Sequence, residues 1–209
     1  MSTRVQGLTG LTLLDAPTVC HTCVWWQSRG RRDVDKPRWI EKAEGEWGSW
    51  GAIYRDDDGR VLGSMQYGPA ELFPRATELP AGPPSGDSVL VTCAYLVDRT
   101  SPWVLQSLFL AAIGDAKDRG AKAVEAFSYR YPEGESTYER FIVHKTVFPH
   151  DFLADFGFQT IRTDGRVELG RLELGGLVPV VEGRRAKVLR VVKEAFAPAP
   201  PVPARLPRG

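Results

Sequence analysis

The stretch from Asp87 to Phe127 constrains the chain more than any other. Val89 to Val97 is an apolar run of one strand's length, rich in β-branched residues. Ser101-Pro102 then supplies an N-cap followed by proline at the first helical position. Beyond it, Leu105, Leu108, Phe109, Ala112, Ile113 and Ala116 recur at helical spacing and give one buried face. Gly120 stops the helix, and Val124 to Phe127 opens another strand. Strand, tight turn, helix and strand in succession make a βαβ unit. Its first turn aims a helix N-terminus beyond the sheet edge, where free N–H groups and the positive end of the helix dipole suit a phosphate.

The rest of the chain fits around that unit. Residues 20–50 hold five of the six tryptophans, Trp25, Trp26, Trp39, Trp47 and Trp50, and a helix is expected over Arg38–Trp47. Trp50 to Arg55 and Arg60 to Tyr67 read as a hairpin around Asp56-Asp57-Asp58-Gly59. Leu11 to Leu14 reads as a first strand, and the proline-rich residues 68–88 as a long loop. A short helix near Pro149–Phe156 precedes a last pair of strands, Phe158–Arg162 and Arg166–Leu174.

With 43% hydrophobic and 25% charged residues, the composition is that of a globular protein. No apolar run nears the roughly 20 residues that span a bilayer, so no membrane partner is expected. The first residues lack an apolar signal core, which implies a cytoplasmic protein. From Arg184 onward seven basic residues face one acid, so the net charge of +1 splits into a basic tail and an acidic body. Val188, Leu189, Val192, Ala195 and Phe196 form a helical stripe there, so a packed amphipathic helix is expected rather than a nucleic-acid surface. The proline-rich end has no regular pattern.

The hairpin Trp50–Tyr67, the unit Val89–Gly120 with Ala123–Phe127, and Phe152-Leu-Ala-Asp-Phe-Gly-Phe158 together resemble the GNAT family of N-acetyltransferases. The likeness runs from Leu8 to Leu174. Cys20, Cys23 and Trp26, with Glu-Ala-Phe on the later strand, are similar to an actinobacterial subgroup. The resemblance implies an α/β (α+β) fold with a mixed, mostly antiparallel central sheet flanked by helices over residues 1–175. A basic helix over 176–197 and a flexible tail over 198–209 would follow. It also implies acetyl-CoA as co-substrate and an amine on a small molecule or protein as acceptor; the sequence allows a homodimer.

The same resemblance places the cofactor along Tyr95, Leu96 and Val97, with a polarising N–H in that strand, and across Arg99, Thr100, Ser101, Trp103 and Val104. The family's glycine-bearing phosphate loop is replaced here by Asp98-Arg99-Thr100-Ser101-Pro102-Trp103, without a glycine. Two readings stay open: Arg99 and the N–H groups of Trp103, Val104 and Leu105 hold the diphosphate, or the turn has lost it and the chain is a non-catalytic binding module. Tyr129 and Tyr131 are candidates for the acid that protonates the departing thiolate. Glu125, mid-strand between apolar neighbours, is either a base or the partner of an arginine. His144 reads as a surface histidine or a base. Cys20-His21-Thr22-Cys23 lacks the second ligand pair of a structural zinc site, so no metal is expected and the thiols are read as buried or half-buried.

Overall fold

The computed structural model describes residues 4–28, 34–97, 101–132 and 146–175. These fall within Met1–Gly176; residues 177–209, where the basic helix and proline tail are expected, lie outside the described residues. Eight strands among the described residues form one sheet: β1 (Val5–Gly7), β2 (Gly51–Arg55), β3 (Val61–Pro69), β4 (Ser88–Leu96), β5 (Ala123–Tyr129), β6 (Phe148–Pro149), β7 (Gln159–Asp164) and β8 (Val167–Glu173). Their order is β1-β2-β3-β4-β5-β8-β7, with β6 beside β5. Four α-helices among the described residues accompany them: α1 (Thr18–Thr22), α2 (Lys36–Glu46), α3 (Pro102–Asp118) and α4 (His150–Asp155).

The sheet is the mixed, mostly antiparallel one expected. β4 and β5 are adjacent and parallel because α3 carries the chain back between them. The hairpin forms as its turn residues require: Asp56 Oδ1 accepts from the backbone N–H groups of Asp58 and Arg60 at 3.0 and 2.8 Å, and Gly59 takes φ 81°. One expectation fails. Leu11–Leu14 is not a strand; Thr12–Asp15 is a 3-10 turn, and β1 lies earlier. Thr12 explains the difference, because its hydroxyl donates to the Gly7 carbonyl and accepts from the Thr9 N–H, closing a local turn where a ladder would run. The proline-rich loop likewise holds two 3-10 turns, Ala70–Leu72 and Pro74–Thr77.

The two faces of the sheet are covered differently. On one, the apolar stripe of α3 buries Val104, Leu105, Leu108, Phe109, Ala112 and Ala116 against β3, β4 and β5. Phe148, Phe152, Phe156 and Phe158 close around Phe109. On the other face, α2 begins at Asp35, whose side chain accepts from the Arg38 N–H, and brings Trp39 edge-on to Trp50 at 5.0 Å. Trp26 stacks on Phe127 of β5. Trp26, Trp39 and Trp50 are thus core, as their position beside a sheet suggests. Lys36 is buried among them; its ammonium donates to the carbonyls of Cys20 and Cys23 at 3.0 and 2.5 Å. Burial pushes its pKa below the ordinary lysine value. Cys20 and Cys93 are half-buried, whereas Cys23 is exposed, because the carbonyl and not the thiol of Cys23 points to Lys36.

Candidate active site

β4 and β5 stay together for only four residue pairs, Ser88↔Ala123 to Val91↔Ala126. They separate where β4 gains a residue. Gln66 of β3 opposes Cys93 and Tyr67 opposes Val91, which leaves Thr92 as the extra residue of a bulge. Beyond it β4 pairs with β3, up to Leu96, while β5 runs on to Tyr129 against β8. Because β8 occupies one edge of β5, the two residues of β6 that pair with Ser128 and Tyr129 sit on the other, toward the gap. Ligands in open sheets gather at the carboxyl ends of parallel strands. Here those ends are Leu96–Val97 and Tyr129–Tyr131.

The N-terminus of α3 lies at this edge. Gly63 of β3 lets it approach: a Cβ there would stand 2.9 Å from Val104 Cγ1 and 3.0 Å from the Tyr95 carbonyl. Ser101 occupies the N-cap position but makes no side-chain cap hydrogen bond, and Pro102 at the first position has no N–H to offer. The Val104 N–H is not free as expected; it donates to the Ser101 carbonyl at 3.1 Å, and the Val104 side chain is fully buried. Trp103 is half-exposed and meets the Tyr54 ring edge-on at 5.3 Å. Arg99 and Thr100 lie outside the described residues, as does His144.

Tyr95 and Val97 line an open depression of about 280 Å³, together with Asp15, Pro17, Thr18, Val19 and Val61. Its rim is apolar at Val19 and Val97 and charged at Asp15, which pairs with Arg55 at 2.6 Å. Leu96 points to the opposite face and is buried, as alternation along a strand demands. The Val97 N–H is spent on the Leu62 carbonyl at 2.9 Å. Successive N–H groups leave a strand by opposite edges, so the Leu96 N–H is directed into the gap.

Glu125 takes the second of its two readings. It is 0% exposed, Arg171 Nη1 donates to one oxygen at 2.9 Å, and the Ser85 N–H donates to the other at 2.8 Å. It faces Leu90 in the paired part of β5, before the strands diverge. Tyr129 and Tyr131 do reach the carboxyl edge, with ring centroids 4.8 Å apart.

The same edge gathers a cluster around Glu168 to which sequence reasoning assigned no catalytic role. Glu168 of β8 is buried and accepts from Arg130 Nε at 2.9 Å, His150 Nδ1 at 2.5 Å and Thr160 Oγ1 at 3.2 Å. Burial opposes its charge, but the hydrogen bonds from Arg130 and His150 prevail and hold its carboxyl below the usual range. The register Ser128↔Glu168 makes the cluster, and no local motif announces a register. Glu168 does stand alone in an alternating strand pattern, on the face that should be apolar, and that was the available signal. Among the described residues, no group of three or more His, Cys, Asp or Glu side chains is arranged to hold a metal ion. Nor is any described helix long and apolar enough to cross a membrane.

No family model matches the chain, and no curated protein does. Its fold is similar to those of several solved acetyltransferases. A ribosomal-protein-alanine N-acetyltransferase from Brucella melitensis is 15% identical, with TM-score 0.47 over 81% of this chain and 99% of that one. A GCN5-related N-acetyltransferase from Kribbella flavida is 16% identical, with TM-score 0.45 over 81% and 96%. A Salmonella typhimurium protein solved with acetyl-CoA is 14% identical, with TM-score 0.44 over 83% and 95%.

Proposed function

We propose that the chain is an acetyl-CoA-dependent N-acetyltransferase of the GNAT type. The observation that carries this reading is the parting of β4 from β5 at the Thr92 bulge, beneath the N-terminus of a 17-residue helix. Such a gap exposes backbone N–H groups of β4 to an extended ligand. A helix N-terminus at its mouth favours a phosphate. Gly63 fits the cofactor by keeping that terminus against the sheet, and Arg99 and the Trp103 N–H would meet the diphosphate.

Acetyl-CoA, when bound, supplies an activated acyl group. The Leu96 N–H would donate to the thioester oxygen as it gains charge. Tyr95, Val97, Val19 and Asp15 border the depression from which an amine would approach. The sequence outside the basic tail carries net negative charge, which favours a cationic acceptor.

A second reading has its own observation. With Pro102 lacking an N–H and that of Val104 spent on Ser101, the helix offers fewer donors than a phosphate site ordinarily uses. The chain would then be a GNAT-shaped binding module. Titration with acetyl-CoA, followed by tryptophan fluorescence and melting temperature, separates the two. At 100 times its dissociation constant the ligand adds about 2.7 kcal/mol of stability. Arg99→Ala should weaken it roughly 10- to 100-fold. An unchanged melting temperature in millimolar acetyl-CoA would dismiss the enzyme.

A further inference from the structure

We infer that His150, held by Glu168 and Arg130, is the proton carrier of this site. It takes the proton released by the attacking amine and returns it to the departing sulfur. The inference rests on the acetyl-transfer reading and assigns a step within it.

Position is the first argument. His150 opens α4 immediately after β6, the strand that occupies the gap side of β5 at Ser128–Tyr129. It therefore lies at the carboxyl edge where β4 and β5 have parted. Glu168, its partner, shares a sheet face with Gly170 and Leu172, the face covered by α3. His150 and the N-terminus of α3 are thus on one side of the sheet.

The hydrogen-bond pattern is the second argument. Nδ1 lies 2.5 Å from Glu168 Oε2, and an ionised carboxylate can only accept, so Nδ1 carries the proton. Arg130 Nη2 is nearly equidistant from the two ring nitrogens, at 3.3 and 3.1 Å. An in-plane approach at those distances would drive it into the ring carbon between them, so Nη2 lies over the ring face. The in-plane lone pair of Nε2 is therefore not taken by Arg130. Among the described residues no other group takes it, and the side chain keeps 23% of its surface exposed. A buried carboxylate fixing one nitrogen of a partly exposed imidazole is the arrangement a general base requires. The charged groups in contact with the ring are Glu168 from β8 and Arg130, just past the end of β5; Asp151 follows it in α4. The arginine charge balances that of Glu168.

The step balances as follows. A neutral amine attacks the thioester carbonyl, forming a C–N bond, and its N–H proton passes to His150 Nε2. The C–S bond breaks with its electron pair on sulfur. The imidazolium then protonates that thiolate, leaving an amide, free CoA and the original imidazole. A purely structural cluster would pin β5 to β8 and never meet sulfur.

Acylation of histidine by diethyl pyrocarbonate, mapped by mass spectrometry on the full chain with and without saturating CoA, distinguishes these. His21, whose Nε2 is 2.8 Å from the Ala16 carbonyl, serves as internal control. CoA should slow modification of His150 at least tenfold and leave His21 unchanged. In His150→Gln, bound CoA should be alkylated by iodoacetamide several-fold more slowly than in the parent, because its thiolate has lost an imidazolium partner. If CoA raises the melting temperature but leaves His150 unshielded, or thiol reactivity unmoved, this inference falls and acetyl transfer stands. If CoA fails to raise the melting temperature, both fall.

Discussion

On the α3 face of the sheet Phe109 touches four other phenylalanines, whereas on the opposite face Trp39 and Trp50 close over the ammonium of Lys36. The first is held by shape. The second buries Lys36, the Glu125–Arg171 pair and the Gln27–Gln66 hydrogen bond, and leaves the indole N–H groups of Trp26, Trp47 and Trp50 without an acceptor among the described residues. A phenylalanine cluster gains from every contact, while each buried polar group must be matched or costs about 1–3 kcal/mol. The faces should therefore fail differently. One loses stability through cavities and the other through broken pairs.

The two largest effects test that difference. Phe109→Ala should cost about 3–5 kcal/mol in urea unfolding, because the rings around it cannot all collapse into the space. Arg171→Met should cost a similar 3–5 kcal/mol by stranding the fully buried Glu125. Only the second should be repaired by changing its partner: in Arg171→Met with Glu125→Gln most of the loss should return. A repair that fails would mean Glu125 and Arg171 act separately, and the contrast between the faces would weaken.

Gly63→Ala should have a smaller effect, about 1–3 kcal/mol, since Val104 must give way to the new methyl. It should also weaken acetyl-CoA binding, read by fluorescence, by shifting the start of α3. Loss of stability with unchanged affinity would separate that helix start from the cofactor.

Two pH effects are the smallest. The Glu168 carboxyl is depressed, so its contribution is fully present above the usual carboxylate range and disappears as pH falls through its folded value. Glu168→Gln should thus lose less stability than the parent between pH 7 and pH 4. Lys36 acts with the same sign but in an alkaline window. Its folded pKa is lowered, so the folded state sheds a proton before the unfolded state does, and stability rises as pH approaches the ordinary lysine value. Melting temperatures of the parent and Lys36→Met should diverge in the parent's favour as pH rises toward the ordinary lysine value. Parallel curves would mean Lys36 is not desolvated.

The β4–α3–β5 unit was legible from sequence almost to the residue, as was the Asp56–Gly59 hairpin. Their signals are local: apolar spacing along one helix, a β-branched run, a proline after serine, a glycine with positive φ. Leu11–Leu14 misled because the hydroxyl of Thr12, two bonds to backbone included, outweighed a short apolar run. At the site, Tyr95, Val97, Tyr129 and Tyr131 come to the carboxyl edge as their strands imply. Glu125 was legible only as a choice between two roles.

Sequence by itself determined the β4–α3–β5 unit, the Asp56–Gly59 hairpin and where a helix N-terminus meets the sheet, because these follow from contacts between near neighbours in the chain. Only the tertiary structure decided that Arg171 neutralises Glu125 and that Arg130, His150 and Glu168 meet at one edge. Those outcomes depend on strand register and on residues 18 to 46 positions apart. A hydrogen bond over such a separation has no sequence period to announce it.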